Sequence, residues 1–394
     1  MFDWIDETSL SSAVLAFGAM QWAHTAGFIA ALRAQVRRGR ESPGRLPAAC
    51  VILAAKGTMP DFEGNIRSIL EQEYPGPVEY LFVTPRESDP AYGAIRGILA
   101  GYPGKTVRLL HSDETPATSC GKITDLLYAL RAAPPGTEVL AFADCDIRVR
   151  QDWLLRMVEP LRDPGVVAVI THALYVPRRA ELSGLLRLAC GAFVASSMYL
   201  GRVVGGWSWA VRRADFFALG IPERWRTSLT DDTSLDAVFA RDGRRIRWAA
   251  LAGPAFTGGC SLAGIRDDYG KSFLYLRLYD FPVWLFMSLA LGWTAYAAYW
   301  ALVFPVKWRL LALVLGVNML NVFAIFAALR RYLPRQFDGI HPAFRTFPLL
   351  AALCAPAMWV VFLAAWADSA FRRRLEWGGR VYRIHAPDRI EVVG

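Results

Sequence analysis

Long apolar runs at both ends of the chain, with a charged region between them, constrain the fold more than any other sequence feature. Residues 10–32 contain no Asp, Glu, Lys or Arg, and neither do 281–304, 310–329 and 347–366. A helix needs about 20 apolar residues to span a bilayer, and each run reaches that length. The mean hydropathy of +0.26 excludes a disordered chain, and the charged fraction of 20% excludes a fully embedded one. The sequence therefore predicts a soluble domain attached to membrane segments.

The charges around the first run predict an N-terminal transmembrane anchor. Acidic residues precede the run and arginines follow it: Asp3, Asp6 and Glu7, then Arg33, Arg37, Arg38, Arg40 and Arg45. A secretory signal peptide would begin with basic residues instead. By the positive-inside rule, the N-terminus lies outside and the next domain faces the cytoplasm. Residues 1–46 are thus predicted to be an anchor, with its span at 10–32, and a basic linker; a buried amphipathic helix is the alternative.

The composition after residue 280 predicts a second membrane region, 281–370, and a basic tail, 371–394. Basic residues fall in its loops and at its end: Lys307, Arg309, Arg330, Arg331, Arg335, Arg372, Arg373 and Arg374. Three complete spans would place the last arginines outside, against the positive-inside rule, so either one run is re-entrant or the rule is broken. Residues 185–204 and 261–280 mix apolar residues with Arg and Tyr. We interpret them as interfacial helices, with buried core helices as the alternative.

Strand–helix alternation fills residues 47–260. Four short apolar runs are typical of buried strands: 50–55, 78–84, 106–110 and 139–143. Apolar residues at helical spacing follow them, which predicts an α/β domain with a mostly parallel sheet and flanking helices. Ligands of such a domain bind at the carboxyl ends of its strands. The net charge of +9 comes without a nucleic-acid-binding motif, so it indicates a membrane surface as partner and no nucleic acid.

Two pairs of aspartates are candidates for chemistry. In Asp144-Cys145-Asp146, which ends the last of these strands, residues two apart on an extended chain face the same side. Carboxylate oxygens at a strand end suit Mg²⁺ or Mn²⁺ holding a diphosphate. Thr230-Asp231-Asp232 precedes a helical pattern. One of its carboxylates could be a general base beside an acceptor hydroxyl, and a helix N-cap explains the same residues equally well.

Further side chains fall at candidate ligand edges. Lys56 follows the first strand, and Lys122 begins a helix, where a lysine opposes the helix dipole and calls for an anion such as phosphate. Solvated surface lysines are the alternative. Asp89 follows the second strand and could accept from a base N–H or simply form a turn. Gly206 and Trp207 could contact a sugar or lipid through backbone and indole, or the indole could pack in the core.

In this order, the segments resemble membrane-bound inverting glycosyltransferases of the family-2 type, most closely the bacterial ceramide-glucosyltransferase-like group. The resemblance covers residues 51–284 and rests on these matches: Lys56-Gly57, Asp89-Pro90-Ala91, Cys120-Gly121-Lys122, Asp144-Cys145-Asp146-Ile147-Arg148, Gly205-Gly206 with Ala210-Val211-Arg212-Arg213, and Thr230-Asp231-Asp232. Glu376-Trp377-Gly378-Gly379-Arg380-Val381-Tyr382 also resembles the family's C-terminal end. The resemblance implies that 47–260 is a GT-A nucleotide-sugar-binding domain.

The resemblance also implies roles for individual residues. Four would contact the UDP-sugar: Lys56, Asp89, Lys122 and Asp144. Two would hold Mn²⁺ or Mg²⁺: Asp144 and Asp146. Asp232 would be the catalytic base. Three would lie on the acceptor side: Gly206, Trp207 and Asp231. The family's (Gln/Arg)-x-x-Arg-Trp acceptor motif is incomplete in this chain, and two residues are taken to replace it: Arg277 and Tyr279.

The predicted function is therefore metal-assisted, inverting transfer of a hexose from a UDP-sugar to a hydroxyl of a membrane lipid, with a ceramide-like acceptor favoured. The metal would offset charge on the leaving diphosphate while Asp232 removes the acceptor proton. The alternatives are a processive polysaccharide synthase and a catalytically silent membrane scaffold that binds nucleotide. The protein is expected in a bacterial inner membrane, with its catalytic domain facing the cytoplasm.

Overall fold

A seven-stranded β-sheet organises the first two thirds of the chain. The computed structural model describes residues 7–38, 44–177, 179, 181–201, 203–205, 207–256, 258–303, 308–333 and 347–393. The strands in this part are β1 (Ala49–Ala54), β2 (Val78–Thr84), β3 (Val107–His111), β4 (Val139–Ala143), β5 (Val166–Thr171), β6 (Leu174–Tyr175), β7 (Ser208–Arg212), β8 (Arg245–Trp248) and β9 (Ala255–Phe256). All but β6 and β9, which pair with each other, belong to the large sheet.

The order across the large sheet is β3-β2-β1-β4-β7-β5-β8. Every pairing in it is parallel except those of β7, which runs antiparallel to both β4 and β5. Every residue of β1, β4 and β5 is buried, because helices cover both faces of a mostly parallel sheet. This double burial is why these strands appear as continuous apolar runs in the sequence. The predicted α/β class with a mostly parallel sheet is confirmed.

Helices flank the sheet, and long helices also precede β1 and follow β9. They are α1 (Glu7–Arg38), α2 (Phe62–Leu70), α3 (Pro90–Leu99), α4 (Gly121–Arg131), α5 (Trp153–Val158), α6 (Leu182–Ser197), α7 (Arg213–Ala218), α8 (Ile221–Trp225), α9 (Asp236–Asp242), α10 (Leu262–Tyr279), α11 (Phe281–Val303), α12 (Trp308–Tyr332), α13 (Phe347–Leu353) and α14 (Ala355–Phe371). Helices therefore occupy both segments predicted to be interfacial, 185–204 and 261–280.

Two helical segments among the described residues have the length and apolar composition to cross a membrane: Leu182–Leu200 and Ala312–Tyr332. The first is 61% buried inside the protein and the second 39%, and a core helix of a soluble protein meets the same criteria. Phe281–Tyr296 and Ala355–Phe371 are shorter apolar helices. The location of these helices in a membrane stays a prediction.

The two ends of the chain pack against each other through polar side chains. Asn318 Oδ1, on α12, accepts from Gln21 Nε2 of α1 at 3.2 Å and from Trp359 Nε1 of α14 at 2.7 Å. Thr25 Oγ1 donates to Asn321 Oδ1 one turn further on, at 2.5 Å. The predicted N-terminal span, 10–32, is thus part of a helical layer with the C-terminal runs.

The predicted run 347–366 is divided into α13 and α14. The break falls at Cys354, and Pro356 lies in the first turn of α14. Proline fits the first helical turn but cannot donate the backbone hydrogen bond that a continuous helix needs there. The last apolar run is therefore two helices rather than one.

The segment predicted to be a basic tail, 371–394, is folded. It forms a three-stranded antiparallel sheet of β10 (Arg374–Trp377), β11 (Arg380–Ala386) and β12 (Arg389–Val392). Leu375, Tyr382, Ile384 and Ile390 are buried on it, and this alternation of buried apolar and exposed charged residues is the strand pattern that the arginine-rich composition concealed.

Arg277 fixes the junction between the last helix and this sheet. Its guanidinium donates to the backbone carbonyl oxygens of Ala370 and, at 2.7 Å, of Arg372. These carbonyls end α14 and have no partner within the helix. Arg277 on α10 therefore satisfies the C-terminus of α14, a role that its predicted place on the acceptor side did not include.

This geometry predicts a structural cost at Arg277. Hydrogen bonds that involve a charged group contribute about 1.5–3 kcal/mol each, so Arg277→Met should lower the melting temperature of the detergent-solubilised full-length protein by several degrees. Arg266→Met is the matched control, since Arg266 is an exposed arginine on the same helix. Equal melting temperatures for the two variants would contradict this role.

Candidate active site

Side chains from separate parts of the chain meet at the carboxyl edge of the large sheet. Asp144 directly follows β4, Lys122 lies in the first turn of α4, and Asp231 lies in the loop before α9. Lys122 Nζ is 2.5 Å from Asp144 Oδ1 and 2.9 Å from Asp231 Oδ1. The structure thus joins segments that the sequence placed separately on the donor and acceptor sides.

The cluster of Lys122, Asp144, Asp231 and Asp232 carries more negative than positive charge. The Asp231 side chain is 7% exposed and that of Lys122 21%. Burial alone would lower the pKa of Lys122, but Asp144, Asp231 and Asp232 outweigh burial and hold its pKa well above the ordinary value. The ammonium therefore stays protonated, and this single cation is shared by three carboxyl groups.

Asp144 and Asp146 have the environment of a cation site. Burial, followed by the Asp144 carboxylate, raises the pKa of Asp146 to about 7. Asp146 Oδ1 is buried and has no hydrogen-bond partner among the described residues. Burial also raises the pKa of Asp144, against the opposing effect of Lys122. An orphaned carboxylate oxygen beside a second carboxylate fits Mg²⁺ or Mn²⁺, because both ions prefer oxygen ligands.

Asp232 combines the two roles considered for it. Its Oδ1 accepts from Thr230 Oγ1, from the Thr233 backbone N–H at 2.5 Å and from Thr233 Oγ1 at 3.2 Å. It therefore caps the short 3₁₀ turn 233–235. These bonds all reach Oδ1, and no described residue donates to Oδ2. Burial, and then the Asp231 carboxylate, raises the pKa of Asp232 to about 6. One oxygen is thus structural while the other is available to a ligand.

Trp207 lies beside Asp144 in a strained conformation. Its carbonyl oxygen accepts from the Asp144 backbone N–H at 2.9 Å, and its φ of 91° is unusual for a bulky residue, a strain of about 1–3 kcal/mol. The indole packs 5.3 Å from the Phe256 ring and 6.3 Å from the His172 ring. An aromatic wall therefore adjoins the aspartates. Gly206, predicted to act with Trp207, lies outside the described residues.

Lys56 and Asp89 lie at the carboxyl ends of β1 and β2. Asp89 Oδ1 accepts from the Ala91 backbone N–H at 2.9 Å, which caps α3, and from the Gly57 backbone N–H at 2.7 Å. Lys56 Nζ donates to the carbonyl oxygen of Gly378 in the C-terminal sheet. Both residues lie at the carboxyl edge of the large sheet where the sugar donor was predicted to bind, and we call this the donor edge. Their contacts with a nucleotide stay predictions.

Tyr279 contacts the loop that leads to the carboxylate cluster, not the carboxylates themselves. Its Oη accepts from the Leu229 backbone N–H at 2.8 Å, and the Arg224 guanidinium lies 5.1 Å from its ring centroid. Tyr279 therefore holds the loop that leads to Asp231. Arg277, as described above, donates to the end of α14. The structure places neither residue in contact with the aspartates.

Two tyrosines to which sequence patterns assigned no role adjoin the site. Tyr275, one turn before Tyr279 on α10, is near enough to Cys120 and Asp232 for both to add to the effect of burial, which raises its pKa well above the ordinary value. Tyr382 Oη, on β11, accepts from the Gly121 backbone N–H at 3.1 Å. The pair Gly378–Gly379 between alternating residues was the available signal for the hairpin that carries Tyr382.

Two solved structures of other proteins resemble this chain to different degrees. The mannosyltransferase PcManGT from Pyrobaculum calidifontis, in complex with GDP-Man and Mn²⁺, is 19% identical with a TM-score of 0.51, over 92% of this chain and 99% of that one. Glucosyl-3-phosphoglycerate synthase from Mycobacterium tuberculosis, in complex with Mn²⁺, UDP and phosphoglyceric acid, is 18% identical with a TM-score of 0.39, over 60% of this chain and 83% of that one. At 19% identity, the similarity to the mannosyltransferase shows a common fold.

A family-level match covers almost the whole chain. No protein of curated function matches the sequence. The profile of glycosyl transferase family 21, however, matches residues 15–390, which include most of α1, the large sheet with its carboxylate cluster, and most of the C-terminal sheet. The chain therefore belongs to glycosyl transferase family 21 and is a glycosyltransferase.

Proposed function

We propose that this glycosyltransferase moves a hexose from a UDP-sugar to a hydroxyl of a membrane lipid, with a ceramide-like acceptor, and inverts the anomeric carbon. The state of Asp232 is the observation that carries the proposal. Its Oδ1 is held by three hydrogen bonds, its Oδ2 is available, and its pKa is raised to about 6. A carboxylate with a pKa near the operating pH is an effective general base.

The donor would lie along the carboxyl edge from β2 to β4. Lys56, Asp89, Lys122 and Asp144 line this edge, and Asp144 and Asp146 would hold Mn²⁺ or Mg²⁺. The described residues include no group of three or more His, Cys, Asp or Glu suited to a metal, so the ion would need further ligands from phosphate and water. When bound, the ion would offset negative charge on the diphosphate.

The transfer would be a single displacement. Asp232 Oδ2 takes the proton of the acceptor hydroxyl as the hydroxyl oxygen forms its bond to the anomeric carbon. The bond from that carbon to the diphosphate oxygen breaks on the opposite face, and its electron pair leaves with UDP. Lys122, held close to Asp144 and Asp231, keeps a positive charge beside the departing diphosphate. Attack opposite the leaving group inverts the anomeric configuration.

Apolar surface supports a lipid acceptor and a membrane location. Large apolar side chains are more than half exposed on the end helices, among them Phe286, Leu289, Leu320, Leu349 and Val360. Apolar exposure of this extent is typical of a surface covered by lipid or protein. Near the aspartates, Arg187 on α6 lies 5.2 Å from the ring centroids of both Tyr175 and Phe256, so the aromatic wall continues towards an apolar helix.

The product identifies the function directly. Membranes from cells that express the chain should contain a new glycolipid, detectable by thin-layer chromatography and mass spectrometry, because the proposed base serves a lipid hydroxyl. Membranes with Asp232→Asn are the control. A polymer instead of a glycolipid would favour a processive synthase, and no new product would favour a silent scaffold; either result contradicts the proposal.

Metal removal should stop the reaction. EDTA should abolish transfer, and Mn²⁺ or Mg²⁺ should restore it, because Asp144 and Asp146 would otherwise face the diphosphate with uncompensated negative charge. Asp146→Asn should weaken UDP affinity in Mn²⁺ while leaving it nearly unchanged in EDTA. Asp163→Asn, at an exposed carboxylate that pairs with Arg245, is the control. Full activity in the chelator would exclude the metal.

One substitution can distinguish the general-base role of Asp232 from its capping role. Asparagine retains a capping oxygen, so Asp232→Asn should change stability by about 1 kcal/mol or less. The amide accepts no proton at neutral pH, so transfer should fall by about 10²–10⁴-fold. Glycolipid formation, UDP affinity and melting temperature would be measured together.

Asp231→Asn is the matched control for this experiment. It removes a carboxylate that pairs with Lys122, so its effect should appear mainly in UDP affinity, with a smaller loss of turnover. An active Asp232→Asn enzyme would refute the base assignment and leave the cap as its only role.

A further inference from the structure

The C-terminal hairpin β10–β11 lies over the donor edge of the α/β domain. Its turn residues Gly378 and Gly379 have φ of 58° and 68°, and two positive φ values in succession are what a tight two-residue hairpin turn of the primed type needs. The carbonyl oxygen of Gly378 accepts from Lys56 Nζ. The tip of the hairpin therefore covers the end of β1, where Lys56 lies.

Two residues of β11 face the N-terminus of α4. Tyr382, which is 2% exposed, accepts from the Gly121 backbone N–H at 3.1 Å. The Arg380 guanidinium packs so closely on Gly121 that a Cβ there would clash with it. A side chain at position 121 would therefore displace the Arg380 guanidinium. The guanidinium also forms a hydrogen bond with the Tyr382 side chain, so it lies at the N-terminus of α4.

Arg380 adds positive charge that the described residues do not neutralise by contact. No described carboxylate forms an ion pair with Arg380 or with Lys56, whose ammonium is bound by a carbonyl. Arg380 acts on the Asp125 carboxyl only through space, and Asp125 Oδ1 is occupied by the Ser112 hydroxyl at 2.5 Å. Two cations without carboxylate partners, beside Lys122 and a helix N-terminus, form a site for a polyanion.

We propose that Arg380 binds the diphosphate of the nucleotide-sugar donor and that the β10–β11 hairpin closes the donor site over it. This inference rests on the proposed function. A guanidinium presents paired N–H groups that match phosphate oxygens, which a lysine cannot do. The hairpin begins three residues after α14 ends, and Arg277 fixes that junction. The donor site is thus completed by a segment that follows the proposed membrane helices.

Nucleotide titrations of the full-length protein in detergent with Mn²⁺ test the proposal. UDP, GDP and uridine would be titrated calorimetrically into wild type and Arg380→Gln. Loss of a charge-assisted hydrogen bond should raise the Kd for UDP by about 10- to 100-fold, while the affinity for uridine, which has no phosphate, should not change. Arg383→Gln is the control, since Arg383 on the same strand pairs with Glu391 at 3.3 Å.

The outcomes distinguish a failure of this inference from a failure of the proposed function. If Arg380→Gln binds UDP as wild type does, or loses UDP and uridine equally, the inference is wrong and the proposed function stands. If wild type binds neither UDP nor GDP, both are wrong.

A measurement on wild type avoids any folding defect in the variant. UDP should slow hydrogen exchange at the backbone amides of residues 374–386, because closure over the donor would bury them. Exchange that UDP leaves unchanged would overturn the closure.

Discussion

The ion pairs of Lys122 with Asp144 and Asp231 are the interaction on which the rest of the site depends. They join α4, the end of β4 and the loop before α9, and Asp232 follows Asp231 directly. A half-buried group of three carboxyls around one ammonium is costly, since burial penalises charge that is not compensated. A metal ion would reduce that cost and a diphosphate would engage the cations, so the site is matched to a ligand that brings both signs of charge.

The antiparallel strand β7 gives this charged cluster an apolar neighbour. In a wholly parallel sheet, the neighbour of β4 would end at the same edge. β7 instead begins there, so Trp207, just before it, lies against Asp144 with its carbonyl oxygen on the Asp144 backbone N–H. Trp207, with its unusual φ, is held by this backbone bond and by the packing of its indole on the Phe256 ring. One polarity reversal in the sheet therefore sets an aromatic surface beside the aspartates.

Sequence patterns predicted the parts of this structure that depend on residues close together in the chain. Strands buried on both faces appear as unbroken apolar runs, and Asp144 marks the end of one. The Lys122–Asp231 pair could not be predicted, because it depends on how a distant loop folds back onto α4. The role of Arg277 depends in the same way on where α14 ends. The C-terminal sheet was not predicted because its strands are short and rich in arginine. Only four buried residues mark the alternation of buried and exposed positions that is typical of strands.

The contacts of the C-terminal sheet also constrain the topology of the proposed membrane region. Gly378 and Tyr382 touch Lys56 and Gly121 of the α/β domain, so in the proposed membrane arrangement the C-terminal sheet would lie on the same side of the bilayer as that domain. A chain that leaves one side and returns to it crosses an even number of times, so this arrangement would not allow three complete crossings between residues 280 and 371. Of the predicted runs, the one that contains an observed break is 347–366. Its incomplete crossing would place the arginines at 372–374 beside the catalytic domain, where the positive-inside rule requires them.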